Sequence, residues 1–179
     1  MLEVNNTVLT VVDVQGKLAT LMAEREALYK NLVAMTAGAK TLGVPVIWVE
    51  QIPEKLGATI PEIAELLMEQ QPVAKSSFSC CGSSDFNKAL ADTGRKQVLV
   101  VGIEAHICVY QTAMELAENG YDVQVVADAV ASRLTANRDL ALNKMTRNNI
   151  ELTCTEMALF ELMKTAEVDE FRTVSKLIR

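Results

Sequence analysis

Histidine occurs once in the 179 residues, at His106, which removes the His-rich ligand sets on which most zinc and transition-metal sites are built. Carboxylates alone could still hold a hard cation, but nothing in their pattern calls for one. Cysteine is also scarce. Cys80, Cys81, Cys108 and Cys154 are too few for a secreted disulfide framework in a chain of this length, and the vicinal pair fits neither a redox nor a zinc CxxC spacing, so free thiols are expected. No hydrophobic run approaches membrane-spanning length. The segment MLEVNNTVLTVVDVQGK has no basic region, and its apolar run of about six residues ends in Asp13, so a protein of the cytosol with no membrane partner is expected. Lys and Arg are outnumbered, 17 against 23 acidic residues for a formal charge of -6, and no basic cluster interleaves with aromatics, so a nucleic-acid partner is not expected.

Half of the residues are hydrophobic, enough at this length for one domain with a substantial core over 1–179, without repeats or a linker. Continuous β-branched runs at 7–12, 44–49, 97–101, 122–126 and 150–153 predict strands covered on both faces. A further short strand is expected near 72–77, opened by Pro72. Between them, apolar periodicity predicts helices near 20–42, 61–70, 84–93, 108–119 and 135–148. Pro61 suits a first helical turn, Ser84, Thr135 and Thr155 suit N-caps, and Gly43, Gly94 and Gly120 suit the left-handed residue after a helix end. The alternation of strand and helix predicts an α/β fold with a doubly wound parallel sheet in a three-layer αβα sandwich. The tail from Thr155 reads as one or two helices whose apolar faces need the sheet or a second subunit as cover.

Such a sheet invites a dinucleotide-binding reading, yet DVQGKLA after the first strand lacks the paired glycines of GxGxxG, and no GxxxxGK[ST] occurs. What remains is the rule that open parallel sheets bind ligands beyond the carboxyl ends of their strands. The residues there are Asp13, Glu50 and Gln51, Lys75, the segment from Gly102 to Cys108, and Asp128: an acid, an amine and a thiol along one edge. A thiol at a helix start is favoured as thiolate by unpaired amides and the helix dipole. Each residue also has a plainer reading. Cys108, between Ile107 and Val109, fits a small buried hydrophobe, Asp13 a helix cap, Lys75 a solvated surface residue, and His106 a structural or pocket-lining side chain.

On LTVVDVQGK, PVAKSSFS and GIEAHICVYQTAMELAENGYDVQVVADAVASR the chain resembles the isochorismatase-like cysteine hydrolases, a superfamily that includes nicotinamidases and N-carbamoylsarcosine amidases. The segments EQIPEKLGATIPE and IEAHICVYQTA are most similar to the group called isochorismatase domain-containing proteins. The resemblance covers nearly the whole chain. It implies six strands in the order 3-2-1-4-5-6, a triad of Asp13 as general base and acid, Lys75, and Cys108 as nucleophile, and a non-proline cis peptide between Ile103 and Glu104. The backbone N–H groups of Glu104 and Cys108 would then form an oxyanion hole. The chain departs from nicotinamidases, whose metal-binding histidines have no counterpart in WVEQIPEKLG, and from vinyl-ether-cleaving isochorismatases, which lack the cysteine. It therefore implies cleavage of an amide-like C–N bond through a thioester, with no cofactor and no metal, a small-molecule substrate and a homo-oligomeric assembly. Gln15, Trp48, Glu50, Gln51, Phe78, His106 and Gln111 are candidate pocket residues, with Tyr110 beside them. A binding domain without turnover, or a thiol-redox protein using Cys108 or Cys80 and Cys81, are the competing readings.

Overall fold

In the computed structural model, which describes residues 1–179, the chain alternates strand and helix. The strands are β1 (Thr7–Val12), β2 (Val46–Gln51), β3 (Val73–Lys75), β4 (Gln97–Ile103), β5 (Asp122–Ala131) and β6 (Glu151–Thr153). All pair in parallel, in the order β3-β2-β1-β4-β5-β6. The helices are α1 (Gly16–Thr20), α2 (Arg25–Thr41), α3 (Pro53–Leu56), α4 (Pro61–Ala64), α5 (Ser84–Asp92), α6 (Tyr110–Glu118), α7 (Thr135–Arg147), α8 (Thr155–Met163) and α9 (Phe171–Leu177).

The central strands are buried on both faces, which is why they read as unbroken aliphatic runs instead of alternating ones. Alternate residues feed two cores. Leu9, Val11, Leu99 and Val101 pack under α2, α8 and α9 with Leu32, Met35, Leu159 and Val174. Val8, Val12, Val98 and Val100 pack under α5, α6 and α7 with Phe86, Leu90, Leu116 and Met145. The carboxyl-terminal helices thus find their cover within the chain, on α2 and β5, and their apolar faces no longer argue for a second subunit.

Several boundaries differ from the expected ones for local reasons. The helix expected over 20–42 begins only at Arg25, because Glu24 takes a left-handed conformation (φ 52°) just before α2; the short α1 precedes it. Ser83, not Ser84, caps α5, its hydroxyl accepting the Phe86 N–H. Leu134 and Cys154 occupy the positions before α7 and α8, so Thr135 and Thr155 are first helical residues and not caps. The helix expected from 108 begins as a π-helical turn over Ala105–Val109, followed by α6. Finally, β5 continues past Val126 to Ala131 through an irregularity opposite Val100 and Gly102. Asp128 therefore lies within the strand, where its carboxylate accepts the Thr155 N–H and hydroxyl, both at 2.8 Å. It serves the start of α8, not the sheet edge.

At Gly102 the backbone adopts φ +118°, and a Cβ there would lie 2.1 Å from the Val12 carbonyl oxygen. Only glycine lets β1 and β4 approach so closely at this level, one residue below Asp13.

Candidate active site

Asp13 follows β1 directly, in a left-handed conformation (φ 52°), and is 2% exposed. One carboxylate oxygen, Oδ2, accepts from Lys75 Nζ at 2.7 Å. The other, Oδ1, is buried without a hydrogen-bond partner. Lys75 does not reach this point from a connection folded over the cleft, as the strand order suggests it should. It is the last residue of the edge strand β3, paired with Gln51, and its long side chain crosses the end of β2. Its ammonium also donates to the carbonyls of Ser77 and Phe78, both at 3.0 Å, so all three donors of the buried amine are used.

Cys108 lies in the π-helical turn between β4 and α6, buried with its thiol against the same carboxylate. Each group perturbs the other's protonation. The thiol also lies 3.7 Å from Gln51 Oε1. Burial pushes the Cys108 thiol up, and the neighbouring Asp13 charge pushes it further, with Lys75 opposing. This corrects the expectation that a helix start holds a thiolate: desolvation and a facing carboxylate outweigh the local amides, and the resting group is a thiol. Burial likewise raises the Asp13 carboxyl above its ordinary range, against the pull of Lys75. A thiol, an adjacent carboxylate with a free oxygen, and an ammonium pinning the other oxygen are therefore brought together. This constellation can move a proton from sulfur to oxygen.

The Ile103–Glu104 peptide is cis, and the Glu104 N–H has no acceptor within the protein. Glu104 also holds the turn. Its carbonyl accepts from the Ile107 and Val109 N–H groups, and its buried carboxylate accepts from Arg133. Sequence reasoning missed Arg133 because β5 was read as ending at Val126. Extending the strand through ADAVA would have put Ser132 and Arg133 at the carboxyl edge.

The pocket candidates divide. Gln51 reaches the thiol and anchors its Nε2 on the Ser77 carbonyl. Phe78 is exposed, and His106, half-buried, pairs its Nδ1 with the Ser132 hydroxyl at 2.9 Å. Gln111 and Tyr110 are half-buried at the start of α6. Gln15, Trp48 and Glu50 are buried and bonded to neighbouring groups. The Gln15 amide is bound to the Gln51 backbone and the Gly57 carbonyl. Trp48 packs in the core and donates to the Thr59 hydroxyl, while Glu50 accepts from the Thr59 N–H and hydroxyl. Cys80 is wholly buried, its thiol pushed up to about 12 by burial. No three His, Cys, Asp or Glu side chains converge as metal ligands. A cleft lined by Lys40, Val46, Gln70 and Arg95 opens at the opposite, amino-terminal edge of the sheet and gathers no comparable chemistry.

The strand order, with helices on both faces of the sheet, matches that of isochorismatase-fold structures. The chain belongs to the isochorismatase family, whose domain model matches residues 7–157. It is 36% identical over 180 residues, covering 98% of this chain and 85% of the relative, to a secreted isochorismatase effector, Isc1, of Phytophthora sojae. Among solved structures it resembles one described as a MAR1 ribonuclease of Caenorhabditis elegans, with TM-score 0.92 and 34% identity over 99% of this chain and 91% of that one. It also resembles the YcaC product of Escherichia coli, described as an octameric hydrolase of unknown specificity, with TM-score 0.93 and 25% identity over 99% and 88% of the two chains. No helix is long and apolar enough to cross a membrane.

Proposed function

We propose that residues 1–179 act as one cysteine hydrolase domain that cleaves an amide-like C–N bond of a small molecule. The observation that carries this reading is the Lys75–Asp13 contact, with the second Asp13 oxygen unpartnered beside the Cys108 thiol. Asp13 takes the thiol proton as sulfur attacks the carbonyl carbon, and Lys75 holds the carboxylate in place and balances the charge that appears on sulfur. The oxyanion is received by the N–H groups of Glu104 and Cys108. Asp13 then gives its proton to the leaving amine. Water, deprotonated by the same carboxylate, cleaves the thioester and returns the thiol. Each step uses only side chains, backbone amides and water, so the reading calls for no cofactor.

RNA cleavage, the activity in the nematode relative's name, would need a surface that holds phosphates. Lys75 is committed to Asp13, Arg133 is paired through its Nε with Glu104, and the chain is acidic. A small neutral or singly charged amide fits better. Self-association belongs to the same reading. It is supported by the octameric bacterial relative and by the exposed Leu134, Leu140 and Leu152.

The test is intact-mass detection of an acyl adduct on Cys108 during exposure to small amides, ureas and activated esters, beside Asp13→Asn. The variant should form adduct at least about 100-fold more slowly, as expected for loss of a general base. The pH dependence has a definite sign. The base works only when deprotonated, and burial raises its carboxyl, so acylation should fall with decreasing pH before an ordinary aspartate would titrate. A profile flat down to pH 4, or an Asp13→Asn enzyme of full activity, defeats the mechanism.

A further inference from the structure

We propose that Arg133 and Ser132 are positioning residues, which hold the turn that receives the oxyanion by gripping two of its side chains from the end of β5. The inference rests on the hydrolase reading above and concerns how its donor amides are aimed. The Glu104 carboxylate is buried, and all its partners come from one residue: the Arg133 N–H at 3.0 Å and Arg133 Nε at 3.1 and 3.2 Å from its two oxygens. Two residues on, His106 Nδ1 meets the Ser132 hydroxyl at 2.9 Å, and the Ser132 carbonyl accepts the Ala23 N–H at 3.0 Å. The turn is therefore gripped at its first and third residues, and the grip is itself tied to the connection leading into α2.

Glu104 is used in three directions. Its carboxylate is fixed by Arg133, its carbonyl carries the Ile107 and Val109 amides at 3.0 and 3.3 Å, and its own N–H is left free. Whatever sets Glu104 thus sets the amides on both sides of Cys108. Donor amides act only if they already point where the oxyanion forms, and small misplacements cost about 100-fold in rate. Ser132 and Arg133 touch neither sulfur nor the Asp13 carboxylate, so their effect should be confined to steps that create an oxyanion.

That confinement makes the idea testable on the full chain with two reagents. Iodoacetamide alkylates a thiol by displacement at a saturated carbon and forms no oxyanion, whereas p-nitrophenyl acetate acylates through a tetrahedral oxyanion. Arg133→Met should slow Cys108 acylation by about 10- to 100-fold, leave alkylation within about twofold, and do so with both p-nitrophenyl acetate and the anionic p-nitrophenyl hemisuccinate. Arg133→Lys, which keeps charge without the forked Nε contact, should recover part of the rate. Glu104→Gln, which keeps the shape of the gripped side chain, should give the same split in milder form. Equal losses in alkylation and acylation, no loss at all, or a loss confined to the anionic ester each overturn the proposal; the last would make Arg133 a substrate contact. If the unaltered protein is alkylated at Cys108 but never acylated there, the hydrolase reading fails and this inference goes with it.

Discussion

Cys108→Ala is expected to form no acyl adduct and to lose about 10⁴-fold or more in turnover, while its stability changes by only about 1 kcal/mol. The contrast follows from what the sulfur touches. In packing terms it is one atom in a well-filled core, and its removal leaves a void smaller than those made by truncating larger core side chains. In chemical terms it is irreplaceable. Cys80, the other buried thiol of this core, feels the same Asp13 and Lys75 charges, but it is fully enclosed and cannot be reached by substrate. Intact-mass spectrometry with peptide mapping checks the result, and an adduct persisting in Cys108→Ala on Cys80, Cys81 or Cys154 would remove the nucleophile assignment. The same experiment bears on the thiol-redox alternative, in which peroxide and not an acyl donor changes the mass reversibly.

The second large effect is on stability and activity together. In Lys75→Met the Asp13 carboxylate, buried at the end of β1, loses its one ionic partner, and removing half of a buried pair typically costs about 3 to 5 kcal/mol. The variant should escape part of that cost by keeping Asp13 protonated, since the group opposing its desolvation is gone. A protonated Asp13 cannot act as base at neutral pH, so turnover should fall at least as far as in Asp13→Asn. The pair Asp13→Asn with Lys75→Met separates the two consequences. With no buried charge left, much of the lost stability should return, by chemical denaturation, while activity stays absent. Single and double variants of equal stability would mean that the ion pair is not what holds this corner of the sheet.

Much of this was legible in the sequence because the central strands are buried on both sides. TVLTVV spans β1 from end to end, and QVLVV and DVQVV mark the starts of β4 and β5. The order of elements then locates the carboxyl edge, and with it Asp13, Lys75 and Cys108. Whatever depended on partners distant in sequence stayed hidden. DVQVVADAVAS looks like a strand that stops at an aspartate, because the role of Asp128 is fixed by Thr155, far along the chain. The bonds of Gln15 and Glu50 could not be read because their partners, at Gly57 and Thr59, belong to a loop with no periodicity. The state of Cys108 was misjudged for a related reason. Local amides at a helix start can be read from order alone, whereas desolvation depends on how the whole core closes over the sulfur.

The ammonium comes from Lys75, the final residue of a three-residue strand at the margin of the sheet, while the acid and the thiol come from its middle. A short border strand is the part of such a sheet that detaches most readily during native-state fluctuations. Catalytic competence is thereby tethered to one of the molecule's two thin borders: a brief peeling there would leave the interior intact and disarm the chemistry.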